Sequence, residues 1–183
     1  MFSLRVDDES ELILVTTAHA DALFAVVRQS RGYLKRWLGW VENLTVDGYR
    51  DFLRQGVVRF GEGLGFYAAI RRDQQWVGAI ELRIDSANLS ASLGYWLAEA
   101  SQGQGLMTRA ARTVTRLAFT EYGLNRLEIR VADENRPSVA VAERLGFRLE
   151  GVLHQGEWVN ARFHNVLCYG LLAADWRDIE AGR

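Results

Sequence analysis

The stretch from Ser90 to Val131 restricts the fold of this chain more than any other. Ser90 to Leu97 is strand-like. A helix follows from about Gly105 to Tyr122, with Ala110, Val114, Leu117 and Ala118 on one face, and Gly123 is a plausible stop. Arg126 to Val131 then alternates polar residues with Leu127, Ile129 and Val131, the period of a strand with one buried face. A strand, a long helix and a second strand form a right-handed crossover, so these two strands are expected to lie parallel in one sheet.

The flanking segments read differently. Phe66 to Ile70 and Trp76 to Arg83 are strand-like, and Asp73-Gln74-Gln75 suits the hairpin turn between them. Upstream, Leu12 to Val15 reads as a short strand. Thr17 reads as the cap of a helix to about Ser30, whose apolar stripe is Ala22, Leu23, Val26 and Val27. Tyr33 to Trp40 is an aromatic-rich turn or short helix, and Thr45 opens a helix in which Tyr49, Phe52, Leu53 and Val57 share a face. Downstream, the sole proline, Pro137, falls in the first turn of a helix, where a missing amide hydrogen costs nothing, and Gly146 lies just past its end. Strands from about Phe147 to Leu153 and Phe163 to Leu172 finish the pattern. The expectation is a single mixed α/β (α+β) domain over residues 1–183, with a mostly antiparallel sheet, one parallel pair and flanking helices.

Composition enters mainly by exclusion. With 22 basic and 23 acidic residues the net charge is −1, so there is no general pull towards nucleic acid or an anionic membrane, and neither partner is expected. The first residues lack an apolar signal core, and no apolar run approaches the ~20 residues needed to span a bilayer. Cys168, the only cysteine, cannot form an internal disulfide, which suits a reducing cytoplasm. Cys168 and His164 share a face of one expected strand, where a small buried cysteine beside an unrelated histidine is the simpler reading than a thiol nucleophile. Three scattered histidines and one cysteine make no metal site.

Chemistry concentrates in the loop Gln102-Gly103-Gln104-Gly105-Leu106-Met107, between the first strand of the crossover and its helix. Alternating glycines let the backbone turn tightly and admit a close neighbour. The unpaired amides at the helix start, aided by the helix dipole, favour an anion such as a pyrophosphate. A phosphate-binding P-loop would need Gly-Lys-Ser/Thr where Leu106-Met107-Thr108 stands, and a dinucleotide fingerprint would need a third glycine where Thr108 stands.

Gln102-Gly103-Gln104-Gly105-Leu106-Met107 after Gly94-Tyr95-Trp96-Leu97-Ala98-Glu99 resembles the acyl-CoA-binding motif of the GNAT superfamily of N-acetyltransferases, and more narrowly the RimL/RimJ ribosomal-protein N-terminal acetyltransferases. Asn135-Arg136-Pro137-Ser138-Val139-Ala140-Val141-Ala142-Glu143-Arg144-Leu145-Gly146-Phe147 and Leu34-Lys35-Arg36-Trp37-Leu38-Gly39-Trp40 resemble the same group, so the likeness covers nearly the whole chain.

The resemblance implies acetyl-CoA as co-substrate, no metal, and a parallel strand pair that splays at its carboxyl ends. It places the pantetheine arm against the backbone around Trp96, Leu97 and Glu99, with Asn135 hydrogen-bonding it. The pyrophosphate would lie on the amides of Gly103, Gln104, Gly105, Leu106, Met107 and Thr108, behind Gln102. Met107 replaces a usually small residue, and Ala142 stands where many members carry a tyrosine acid. Glu99 is then the candidate base, Ser138 the candidate acid or simply a helix cap, and Trp37, Trp40 and Trp158 candidate walls of the acceptor groove. Asn165 stands where similar sequences often have Asp. The implied acceptor is a protein N-terminus. A small amine (polyamine, aminoglycoside or amino-acid conjugate) and a non-catalytic acyl-CoA-binding module are the alternatives. The resemblance also implies a homodimer.

Overall fold

The computed structural model describes residues 3–181. Its centre is one eight-stranded sheet: β1 (Ser3–Arg5), β2 (Ser10–Leu14), β3 (Gly65–Arg72), β4 (Gln75–Asp85), β5 (Ser90–Leu97), β6 (Arg126–Ala132), β7 (Arg148–Val159) and β8 (Arg162–Leu172). The spatial order is β1-β2-β3-β4-β5-β6-β8-β7. Every neighbouring pair is antiparallel except β5 with β6, the pair the crossover demands.

Six helices cover the sheet: α1 (Ala20–Gln29), the single turn α2 (Arg31–Leu34), α3 (Val46–Gly61), α4 (Leu106–Thr120), α5 (Arg136–Arg144) and α6 (Ala173–Ala181). Strand alternation sends successive side chains to opposite faces, so β3 feeds two cores. Phe66, Ala68 and Ile70 join α4, α5 and Trp176 of α6 in the larger core. Tyr67 and Ala69 join Leu23, Val27, Leu34, Tyr49 and Leu53 from the first three helices in the other. Among the described residues no helix is long and apolar enough to cross a membrane.

The feature that positions the site is where β5 and β6 stop pairing. Their register runs Ser90↔Arg126, Ala91↔Leu127 and Ser92↔Glu128 and goes no further. Beyond that point β5 stays with β4 as far as Gly78↔Leu97, while β6 stays with β8 as far as Ala132↔Val166. Gly78 helps hold β5 to its outer partner: a Cβ there would lie 2.3 Å from the Trp96 carbonyl oxygen, so only glycine permits this approach. The amide of Ala98 then donates to the Val77 carbonyl at 2.8 Å. The sheet therefore opens between the carboxyl ends of its parallel strands.

Several local expectations need correcting. Thr16, rather than Thr17, caps the first helical segment: its amide donates to His19 Nδ1 at 3.0 Å, and one 3-10 turn precedes α1. Ala22 is exposed, and Ala20 completes the buried stripe with Leu23 and Val27. Val57 is also exposed; Gly56 takes the buried position, where a Cβ would sit 3.4 Å from that of Tyr67 and the helix can lie close to the sheet. β7 runs on to Val159 past an irregularity between Leu153 and Glu157, where Gln155 has a φ of 51°. β1 and α6 had no clear sequence signal, the first being three residues long and the second lying beyond the last motif.

Gly65 starts β3 with φ +109°, and a Cβ there would fall 2.0 Å from the Leu82 carbonyl oxygen of β4. Gly65→Ala is expected to lower unfolding free energy by at least ~1–3 kcal/mol, seen as a reduced urea midpoint with an unchanged slope.

Candidate active site

The opening between β5 and β6 leads into a cavity of about 600 Å³. Its first wall is the end of β5 and the glycine loop. Gln102 ties the two together by donating from Nε2 to the Leu97 carbonyl at 3.4 Å. Gly103 and Gly105 have φ of 76° and 71°, and Gly105 sits at the start of α4. The first helical bond runs from the Arg109 amide to the Gly105 carbonyl at 3.1 Å, and no side chain caps this end. The earlier amides of Leu106, Met107 and Thr108 are therefore available to an anion, and all three residues line the cavity.

Gln104 faces away from the cavity. Its side-chain oxygen accepts from Arg72, and its carbonyl accepts from Arg109 Nη1 at 2.9 Å. Arg72 is in turn anchored on Glu9 at 2.8 Å, and Arg109 on Asp7 at 2.7 Å. Gln104 thus braces the loop from outside, a role its position in the motif does not distinguish from ligand contact. Met107 is buried at the cavity wall, with its bulk in the larger core.

The opposite wall is α5. Asn135 caps it, its Oδ1 accepting from the Ser138 amide at 3.4 Å, which leaves its side-chain NH2 for a ligand. Ser138 Oγ donates to the Tyr95 phenol oxygen at 3.1 Å, and the Tyr95 hydroxyl donates to the Ser138 carbonyl at 3.3 Å. Burial pushes the Tyr95 phenol up to about 12, although the bond from Ser138 works the other way, so the phenol stays protonated. Ala142 is fully buried in the core and offers no acid; Tyr95, from a different element, brings a hydroxyl to the cavity. Arg144, near the end of α5, adds a cation to the lining. Unpaired amides, a guanidinium and a free carboxamide fit the phosphates and amides of a coenzyme A thioester.

The tryptophans separate. Trp37 lines the large cavity, and its ring centroid lies 6.1 Å from that of His164. Trp40 lines a second cavity of about 240 Å³ and stacks on Tyr49 with centroids 6.4 Å apart. Trp158 is 59% exposed against Phe163 and lines neither cavity. Glu99 is exposed on a one-turn 3-10 helix and also lines neither.

A different carboxylate pairs with the histidine that Trp37 meets: Glu157 lies opposite His164 across the β7–β8 ladder. Glu157 is exposed and lines neither cavity, yet partial desolvation of its carboxyl raises it from the ordinary glutamate value, with the His164 charge opposing. His164 is buried, and its Nε2 has no hydrogen-bond partner. Ligand atoms of His164, Asp133 and Glu134 lie within 4.8 Å of one another, a grouping not visible in the spacing of the histidines alone. Both of these carboxylates already have partners: Asn165 donates to Asp133 at 3.0 Å, and Arg162 to Glu134 at 2.5 Å. The only early signal for Glu157 would have been the extension of β7, which its irregularity conceals.

Parallel strands that part above a glycine-loop helix start, with a cavity built for a phosphorylated thioester, define an acyl-CoA-dependent acyltransferase. Residues 11–148 match the acetyltransferase (GNAT) domain family, and the chain belongs to that family. YdaF of Bacillus subtilis (strain 168) is 34% identical, covering 96% of this chain and 98% of its own. The ribosomal-protein-serine acetyltransferase of Escherichia coli (strain K12) is 28% identical, covering 91% of this chain and 94% of its own. A RimL ribosomal alpha-N-protein acetyltransferase solved in complex with coenzyme A superposes with a TM-score of 0.90 at 26% identity, covering 96% of this chain and 99% of that one. The chain is an acetyl-CoA-dependent N-acetyltransferase.

A β-branched side chain is strained at the φ of Gly105. Gly105→Val is expected to weaken acetyl-CoA binding in calorimetry by about tenfold or more, because strain of ~1–3 kcal/mol falls on the loop that meets the phosphates.

Proposed function

We propose that this protein transfers the acetyl group of acetyl-CoA to the N-terminal α-amino group of a ribosomal protein. The observation that carries the acceptor reading is likeness to the E. coli ribosomal-protein-serine acetyltransferase, which spans 91% of this chain and 94% of that enzyme. A cytoplasmic site of action follows from that acceptor.

In this reading the arm of the co-substrate lies along the part of β5 that has lost its β6 partner, Leu93 to Leu97, and meets Asn135. An α-amino group has an unperturbed pKa of roughly 7.7–8.0, so a modest base suffices. Glu157 takes its proton, directly or through His164, and the freed nitrogen forms the amide bond as the carbon–sulfur bond breaks. The Ser138 hydroxyl turns its one hydrogen from Tyr95 to the departing sulfur as charge develops on it, and the released thiolate takes its proton from water. Positioning between the two walls supplies much of the remaining rate. Glu99 and Glu157 are both exposed and outside the cavity; Glu157 is preferred because it pairs with His164, whose ring meets the cavity-lining Trp37.

A homodimer belongs to the same proposal. β7 is an edge strand, and it exposes Leu149, Val152 and Leu153, with Trp158 and Phe163 exposed near the end of the same hairpin. Such an apolar edge favours a partner over water. Leu153→Lys is expected to shift the mass measured by light scattering from dimer to monomer.

An acceptor screen by mass spectrometry is expected to find acetyl groups on N-terminal serine peptides in preference to polyamines and aminoglycosides; the opposite preference would sink the acceptor reading. Glu157→Gln is expected to lower kcat by about 10²–10⁴-fold, and Glu99→Gln to leave it unchanged. Because the Glu157 carboxyl holds its proton to a higher pH than an ordinary glutamate, kcat/KM should fall more steeply on acidification once that group protonates. The Gln variant should lack this extra steepness.

A further inference from the structure

The second cavity lies on the α3 face of the sheet and shares Leu38, Tyr95 and Trp96 with the first. Its volume of about 240 Å³ is roughly that of eight water molecules at ~30 Å³ each, room for one or two side chains but not a folded partner. Trp40, Tyr49, Phe52 and Tyr67 supply aromatic walls. The one carboxylate in it, Glu81, is buried and bound by Arg59 at 2.5 Å and Arg83 at 2.9 Å, so its charge is already matched.

A glycine keeps this space open. Gly94 lines it and pairs with Glu81 across β4–β5. No turn or close approach accounts for it: a Cβ there would meet nothing within 4 Å, and its φ lies outside the left-handed region. Glycine in a strand interior weakens the strand. What its missing side chain provides here is volume.

The walls also carry a spare donor. Trp96 Nε1 donates to the Tyr67 hydroxyl at 3.0 Å, and the Tyr67 and Tyr49 hydroxyls bond at 2.9 Å. This chain holds three donor hydrogens but makes only two bonds, so one phenolic hydrogen, on Tyr49 or Tyr67, has no acceptor within it. Burial pushes both phenols up, Tyr67 to about 12, so neither hydrogen is lost near neutral pH. Both tyrosines line the cavity. A buried donor of this kind calls for a neutral acceptor such as a peptide carbonyl.

We infer that the second cavity, kept open by Gly94, is a subsite for the residues that follow the N-terminal one in a peptide acceptor, with the Tyr49–Tyr67 pair hydrogen-bonding a backbone carbonyl. The inference rests on the peptide reading of the acceptor given above. Adjacency carries the choice of occupant: Leu38, Tyr95 and Trp96 border both cavities, so a chain whose amine reaches the thioester past them has this cavity beside its next residues. Matched charge at Glu81 and aromatic walls suit an uncharged segment.

The test compares kcat/KM for a serine-headed tetrapeptide amide with that for serinamide, in the full-length protein and in Gly94→Ala and Gly94→Leu. Wild type is expected to prefer the tetrapeptide. The preference should shrink in Gly94→Ala and drop by about tenfold or more in Gly94→Leu, through a raised KM for the peptide. Acetyl-CoA affinity, measured separately, checks that the first cavity is intact, and Gly94→Ala remains readable if the Leu variant folds poorly. A tetrapeptide preference that survives in the variants overturns the subsite while leaving the peptide reading in place. Failure of the wild-type protein to acetylate any peptide overturns both.

Discussion

The site depends on the three residue pairs that β5 and β6 share before they part. Ser90 to Ser92 hold the parallel strands together; past them each strand keeps only its outer neighbour. Backbone groups that lose a strand partner must find another hydrogen-bonding group or water. An extended molecule carrying amides, such as a pantetheine arm, satisfies that requirement as an added strand would. Because β4 and β8 hold the diverging strands from outside, the opening is part of the folded frame and needs no moving lid.

Charge placement follows from the same geometry. The helix that leaves the opening starts with unpaired amides, and the loop leading into it is held from behind by Arg72 and Arg109, themselves anchored on Glu9 and Asp7. Those two guanidiniums are engaged outside the cavity. The groups in the cavity lining that fit a phosphate are the backbone amides at the start of α4 and Arg144. Among the described residues, acidic groups are absent from the lining of the cavity, and Asp133, Glu134 and Glu157 instead lie around His164.

Much of this was legible in the sequence, where short-range physics decides. The crossover, the glycine loop and the proline-led helix depend on period and backbone conformation, and each falls where its spacing implies, whereas the helix cap falls on Asn135 and not on Ser138. Contacts set by the meeting of distant elements were not legible. Glu99 lies in the motif yet turns to solvent, because a 3-10 turn intervenes between the end of β5 and the loop. Glu157 lies outside every motif yet reaches His164, because β7 continues past an irregularity that interrupts its alternation. Trp158 reads as a groove wall, but it is exposed against Phe163 on the β7–β8 hairpin and lines neither cavity.

β5 also explains how one element can serve two substrates. Alternation along the strand gives Leu93, Tyr95 and Leu97 to the larger core and Trp96 to the other, with Gly94 on the same side as Trp96. Tyr95 reaches Ser138 on the cofactor side, and Trp96 starts the hydrogen-bond chain to Tyr67 and Tyr49 on the opposite side. Lost pairing on the β6 side leaves a gap beside Tyr95 and Trp96, which border both cavities. The large cavity accordingly draws lining from both faces, Leu34 from one core and Leu106 and Met107 from the other. Any change that restored pairing beyond Ser92↔Glu128 would close the gap between β5 and β6.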